Sequence, residues 1–310
     1  MINRSHKDRL FIKLFGTEEN KENMLELYNA LNGTDYKDVD QLEITTIEDV
    51  IYMGYKNDVS FILDNEMNLY EHQSTYNPNM PLRGLLYFAR TYEKYITKTK
   101  QSIYQAPLKK IPTPHYYVFY NGKEMHGEHE ILRLSDAFEI KDTDGEYEWT
   151  AHLLNINFGH NKNLMKQCKK LEDYAILIDK IRRYYEDGKE LESAINQAVD
   201  ECIREDRLKE YLQQHKSEVV GMLLTEWDEE KFLEDVKKES EKRGEEIGQK
   251  RGEEIGQKRG ENLGMLKSTI EYYLEGDVSL EKALIKTGLK EEDFLKKVED
   301  YKANGAVSND

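Results

Sequence analysis

The stretch 57–75, NDVSFILDNEMNLYEHQST, decides the fold of the N-terminal part of this 310-residue chain. Apolar and polar residues alternate over 59–63, and a second run rich in apolar residues follows over 67–73; together they predict two β-strands. The residues between them, Asp-Asn-Glu at 64–66, are typical of a tight turn. The stretch therefore predicts a β-hairpin.

The same hairpin carries a candidate metal site. Asp58 opens the first strand, and Glu71 and Gln73 lie two residues apart on one face of the second. The hairpin brings Asp58 beside Glu71, and the backbone carbonyl of His72 adds another oxygen. Mg²⁺ and Mn²⁺ prefer such ligands and can activate a water for attack at phosphorus, with the Gln73 amide orienting that water. Spacing alone leaves open that Asp58 is an ordinary turn residue and that acid–x–Gln arises by chance.

The flanking segments predict a mixed α/β region. Helical periodicity over 5–31 indicates one or two amphipathic helices. A 3.6-residue rhythm that begins at Leu82 predicts a helix with aromatic residues on its buried side. The aromatic run 115–120 predicts another strand, and we expect residues 123–160 to be rich in loops, with a further strand near 149–154.

The C-terminal part is predicted to be all-α, because its periodicity is helical from about residue 161. We divide the chain into an α/β domain (1–160), a helical region (161–240), an octad repeat (241–266) and a small helical hairpin (267–310). The repeat, RGEEIGQK, places a glycine at every fourth position, and each glycine inside a helix costs about 1 kcal/mol relative to alanine. Two interpretations of the repeat remain open: a spacer, or a helix that closely approaches a partner helix. The last segment, 267–310, fits either a helical hairpin that only packs or a helix-turn-helix. A homodimer through the C-terminal helices is a further hypothesis.

The composition bears on partners and compartment. The net charge of −16 argues against nucleic acid, because phosphate binding needs Lys and Arg, but local patches decide binding. The sequence offers one candidate patch, and an ordinary solvated surface is its alternative interpretation. The patch consists of Lys94, Lys98, Lys100, Lys109 and Lys110. We expect a cytoplasmic protein with free thiols. The sequence shows no apolar run long enough to cross a membrane and no signal peptide, and its two cysteines lie far apart.

Several longer blocks carry a resemblance that extends over about residues 5–265. The main blocks are DRLFIKLFG, LYEHQSTYNPNMPLRGLLYFARTYEKY, IPTPHYYVFYNG, LNINFGHN and EVVGMLLTEWDEE. Taken jointly, they resemble the recombination-promoting nuclease (Rpn) family, often described as putative transposases, within the PD-(D/E)XK nuclease superfamily. The resemblance implies a restriction-endonuclease-like core with a mixed sheet flanked by helices. It also implies divalent-metal-dependent cleavage of DNA, linked to recombination or mobile elements.

The family motif implies roles for individual residues. Asp58 matches the first metal-binding acid and Glu71 the second, and the expected metal is Mg²⁺, with Mn²⁺ or Ca²⁺ as alternatives. Asn57 stands where the superfamily has proline, and Gln73 stands where it has lysine. Gln73 cannot supply a positive charge to the developing phosphorane. Either Gln73 only positions the attacking water, or the cation comes from another residue.

Other residues are candidates for auxiliary roles under the same resemblance. The cation could come from the helix after the hairpin, at Arg83, Arg90 or Lys94. An N-terminal helix often adds an acid in this superfamily, and Asp8 is the candidate, although a helix-surface acid is an equal alternative. The alternative to an active enzyme is a catalytically weak or inactive nuclease-fold module that binds DNA or protein.

Overall fold

A computed structural model of the chain describes residues 10–45, 59–100, 102–104, 107–141 and 144–304. The chain divides into two compact units, residues 1–234 and 235–310. None of the described helices contains a segment long and apolar enough to cross a membrane.

A six-stranded mixed sheet lies at the centre of the first unit. Its strands are β1 (Glu43–Ile44), β2 (Val59–Leu63), β3 (Glu66–Gln73), β4 (Thr113–Tyr120), β5 (His129–Arg133) and β6 (Thr150–Asn155). Their order across the sheet is β1-β2-β3-β4-β6-β5. β3, β4 and β6 run parallel, while the β1–β2, β2–β3 and β5–β6 pairs are antiparallel. A mixed sheet accompanied by helices confirms the predicted α/β class.

The hairpin predicted from 57–75 is β2 and β3. Val59 pairs with Tyr70 at one end and Leu63 pairs with Glu66 at the turn. Asp64 and Asn65 form the turn with φ angles of 47° and 63°, a left-handed conformation that Asp and Asn tolerate better than most residues. This turn sets the register that places Glu71 and Gln73 at the far end of β3.

Helices cover both faces of this sheet. The first unit contains α1 (Leu10–Phe15), α2 (Lys21–Asn32), α3 (Met80–Lys98), α4 (Lys162–Gln167), α5 (Lys169–Glu186), α6 (Leu191–Arg204) and the start of α7 (Lys209–Glu275). α3 packs on one face, in a core that includes Leu69, Tyr116 and Leu153. The other helices share a larger core with the opposite face. The helical segments α4 to α6 thus pack on the same sheet as α1 and α2.

α3 has the predicted helical form but differs in the side it buries. Tyr87 and Phe88 are buried, as the aromatic pattern predicts, whereas Leu82, Leu85 and Leu86 are 44%, 36% and 40% exposed. The buried side includes Gly84, where a Cβ would lie 2.5 Å from the Tyr116 ring. The helix approaches β4 closely through this glycine, which turns the leucines outward.

The region 123–160 contains one strand more than the sequence predicts. β6 matches the strand expected near 149–154, but β5 was expected to be loop. Its five residues, HEILR, alternate between exposed and half-buried positions at the edge of the sheet. A short edge strand with charged side chains has a weak apolar pattern, which is why the alternation was not recognised.

The described residues of the second unit form helices joined by short turns. It contains the later part of α7, α8 (Leu280–Thr287) and α9 (Glu291–Asn304). Its core includes Ile270, Ala283, Phe294 and Val298. The octad repeat lies within α7, and a Cβ at any of its glycines would have no neighbour within 4 Å in the part of the chain that is described.

Candidate active site at the end of strand β3

Glu71 and Gln73 lie on the same face of β3, as their spacing predicts. That face packs against α3, and the two residues are only 2% and 8% exposed. The His72 side chain, between them, points to the opposite face, where its ring stacks on Phe11. The end of β3 therefore presents one carboxylate and one amide to the start of α3.

The carboxylate of Glu71 is paired with Arg83 in the first turns of α3. Arg83 Nη2 lies 3.0 Å from Glu71 Oε2 and donates a second hydrogen bond of 3.2 Å to the Tyr87 hydroxyl. Burial by itself lowers the pKa of Arg83, but the combined attraction of Glu71, Tyr87 and Tyr116 outweighs it and raises the pKa. The guanidinium is thus a permanent cation beside Glu71.

Gln73 faces the amino end of the same helix. Its Nε2 lies 2.8 Å from the Sδ of Met80, the first residue of α3, and Arg83 Nη1 lies 3.6 Å from the same sulfur. Pro81 follows in the first helical turn, where its fixed φ and missing N–H are tolerated. Glu71, Gln73, Met80 and Arg83 therefore form one contiguous cluster, which we call the β3–α3 site.

On the other face of β3, the side chain of His72 is held by two helices. The hydroxyl of Tyr174, on α5, lies 2.9 Å from His72 Nε2. Asn121 Nδ2 donates a hydrogen bond of 3.3 Å to the same hydroxyl. The hydroxyl oxygen can accept two hydrogen bonds, so either His72 Nε2 or the Tyr174 hydroxyl can supply the proton that they share. Phe11 of α1 completes the contact, with ring centroids 5.1 Å apart. These contacts fix the backbone between Glu71 and Gln73.

The backbone carbonyl of His72 points towards the β2 side of β3. The carbonyl of Gln73 accepts a hydrogen bond of 2.9 Å from Asn121 N, which follows β4. Since successive carbonyl groups of a strand alternate in direction, the preceding carbonyl points the other way.

Two predicted acids, Asp8 and Asp58, lie outside the described residues. Val59, which follows Asp58 in the chain, pairs with Tyr70, which precedes Glu71. Within the described ranges, no group of three or more His, Cys, Asp or Glu side chains could hold a metal ion. Glu71 and the His72 carbonyl are oxygen donors of the type that Mg²⁺ prefers, but they are only part of a ligand set.

Arg90 and Lys94, the other predicted cations, lie farther along α3 than Arg83. With a rise of about 1.5 Å per residue, their Cα atoms are about 10 and 16 Å from that of Arg83 along the helix axis. Neither forms an ion pair with any described residue at 4.0 Å or less. Of the three candidate cations, Arg83 is therefore the one that the fold brings to Glu71.

Sequence reasoning did not identify Tyr87 or Tyr174 as neighbours of the site. Tyr87 lies one helical turn after Arg83, so the i, i+4 spacing carried a usable signal. Tyr174 lies 102 residues from His72, and nothing local in the sequence links them. Comparisons with protein-family models, curated proteins and solved structures found no match to this chain.

Proposed function

We propose that this protein is a divalent-metal-dependent DNA endonuclease of the PD-(D/E)XK type, hydrolysing phosphodiester bonds in recombination or in mobile elements. Its core would be restriction-endonuclease-like, and its family would be the Rpn nucleases that its sequence resembles. The observation that carries the proposal is the β3–α3 site, in which buried Glu71 lies beside Gln73 and is paired with Arg83. A mixed sheet with helices on both faces supports it.

In this proposal, Asp58, Glu71 and the His72 carbonyl hold the metal, Mg²⁺ or in its place Mn²⁺ or Ca²⁺. When bound, the metal supplies an activated water and neutralises charge on the phosphate. Gln73 uses its amide to orient the attacking water. The buried contacts of His72 with Tyr174 and Phe11 support a fixed position for its carbonyl.

Arg83 supplies the positive charge that Gln73 lacks. Its guanidinium is held 3.0 Å from Glu71, so it lies beside the place where a phosphate would meet the metal ligands. A fixed cation there stabilises the negative charge that develops on phosphorus. Asp8 stays a proposed further acid, and Arg90 and Lys94 are too far along the helix from Arg83 to replace it.

Cleavage of supercoiled plasmid by the purified full-length protein tests this proposal. We expect nicking with Mg²⁺ or Mn²⁺ and none with EDTA. Asp58→Asn and Glu71→Gln should each abolish it while the circular dichroism spectrum is kept. Asp136→Asn, an exposed acid outside the site, is the matched control and should cleave normally. Cleavage at the unaltered rate in both site variants would overturn the proposal.

A second candidate is a weak or inactive nuclease-fold module that binds DNA or protein. The same ion pair favours it, because Arg83 neutralises the Glu71 carboxylate to which a cation would bind. This candidate predicts no metal-dependent cleavage by the unaltered protein but salt-sensitive DNA binding. Measuring both properties on one preparation separates the two candidates.

A further inference from the structure

Four basic residues lie on one flank of α3. They are Arg83, Arg90, Lys94 and Lys98, and we call them the basic flank. At 3.6 residues per turn, their spacings of seven, four and four residues keep them within about 80° of arc around the helix. Arg83 already uses this flank to reach Glu71 and Tyr87, so the basic flank is continuous with the β3–α3 site.

The basic flank becomes more accessible with distance from the site. The Arg83 side chain is 22% exposed and that of Lys98 is 67% exposed, while Arg90 is half-buried and Lys94 is exposed. Among the residues that the structure describes, Arg90 and Lys94 have no ion-pair partner within 4.0 Å. Lys98 contacts Glu43 of β1, an exposed pair of a kind that contributes about 1 kcal/mol or less. Within the described part of the chain, little therefore competes with an external anion for three of the four cations.

The length of the basic flank matches an extended polyanion. Its first and last residues, Arg83 and Lys98, are fifteen positions apart, which corresponds to about 22 Å along the helix. One strand of duplex DNA places a phosphate about every 3.4 Å along its axis, so about six phosphates could lie beside the flank. A stretch of this length with local positive charge can bind DNA although the whole chain carries −16, because local patches decide binding.

We propose that the basic flank of α3 binds the phosphate backbone of double-stranded DNA and leads it to Glu71. Arg83 serves the site, whereas Arg90, Lys94 and Lys98 hold the phosphates that flank it. The inference rests on the proposed function for its ligand.

A DNA-binding experiment with the full-length protein tests the inference. Fluorescence anisotropy measures the binding of a fluorescein-labelled DNA duplex of mixed sequence, in EDTA and over a range of KCl concentrations. The variant is Arg90→Gln/Lys94→Gln/Lys98→Gln, which leaves the β3–α3 site unchanged. Each lost phosphate contact should reduce the slope of log K against log salt by about 0.9. We expect a total reduction of about two to three and weaker binding at every salt concentration.

The matched control is Arg251→Gln/Lys258→Gln/Lys267→Gln, which removes the same charge from exposed positions of α7 and should keep the original slope. An unchanged slope in the basic-flank variant, an equal reduction in the control, or no DNA binding by the unaltered protein would overturn the inference. Equal affinity for polyglutamate would overturn it too, by assigning the flank to an acidic protein. Plasmid nicking separates the two proposals: flank-dependent binding without nicking removes only the nuclease, and nicking with flank-independent binding removes only the flank.

Discussion

The carboxylate of Glu71 and the guanidinium of Arg83 form an ion pair of 3.0 Å between a strand and a helix, with side-chain exposures of 3% and 22%. Both charges have lost most of their hydration, and the pair offsets part of that cost for each of them. Removing one partner of such a pair leaves an uncompensated buried charge, which costs far more than the intact pair contributes. The pair therefore joins β3 to α3 in addition to its proposed role in cleavage.

A double-mutant cycle should measure this coupling. Arg83→Met is expected to lower the free energy of unfolding by about 3 kcal/mol, because the Glu71 carboxylate remains buried and loses the attraction of this guanidinium. Adding Glu71→Gln should restore part of the loss. Urea denaturation at neutral pH measures the free energy of unfolding of the unaltered protein and of each variant. As a control, Arg133→Met breaks a more exposed pair with Glu148 at 3.8 Å and should cost about 1 kcal/mol or less; equal losses for both arginines would contradict the prediction.

Tyr174→Phe should weaken the support behind His72. The change removes a hydroxyl that contacts His72 Nε2 and Asn121 Nδ2 in a fully buried position. We expect a loss of about 1–3 kcal/mol in unfolding free energy, since the buried polar partners are left unsatisfied. Tyr185→Phe, at a 41% exposed position of the same helix, should change it little. A Tyr174→Phe protein as stable as the unaltered one would show that the contact contributes nothing.

The local part of this architecture could be predicted from the sequence. The alternation over 57–75 and its Asp-Asn turn predicted the hairpin, and the two-residue spacing placed Glu71 and Gln73 on one face of β3. These features depend on short-range periodicity and turn chemistry, which a single sequence contains. The helix after the hairpin was predicted for the same reason.

The features that local pattern does not encode were missed or misjudged. α3 has two apolar sides, and only its close approach to Tyr116 at Gly84 determines that the leucines face outward. The contact of Tyr174 with His72 depends on tertiary packing of α5. The Arg83–Glu71 pair depends on how α3 crosses the sheet, so the sequence could place Arg83 among three candidate cations but not select it.

Two helical glycines should respond oppositely to alanine. Gly84→Ala is expected to destabilise the first unit, because the new Cβ would lie 2.5 Å from the Tyr116 ring and 3.1 Å from Trp149 Nε1. Gly252→Ala in the octad repeat meets no described atom within 4 Å and should stabilise its helix by up to about 1 kcal/mol. Thermal unfolding monitored by circular dichroism tests both. A Gly84→Ala protein more stable than the unaltered one would contradict the close approach of α3 to β4.

Acidification should destabilise the first unit through His152 on β6. Its Nδ1 lies 3.0 Å from His129 Nε2, and Tyr117 packs beside it with ring centroids 5.5 Å apart. Burial first, and then electrostatic repulsion from the neighbouring His129 and His115, lowers the pKa of His152 below its ordinary value of 6.5. The unfolded chain therefore takes up a proton at a higher pH than the folded protein does. The contribution of neutral His152 to the free energy of unfolding is fully present above about pH 6.5, and it is lost as the pH falls from there through the pKa of the folded protein.

Comparison with His152→Gln isolates this effect. Between about pH 7.5 and 5.5, the unaltered protein should lose more unfolding free energy than the variant, because only the unaltered chain gains that proton on unfolding. His160→Gln changes a 42% exposed histidine outside the pair and should keep the pH dependence of the unaltered protein. Urea denaturation followed by tryptophan fluorescence gives the three curves. Parallel curves for the unaltered protein and His152→Gln would mean that the β6 histidine is protonated as readily in the folded sheet as in the unfolded chain.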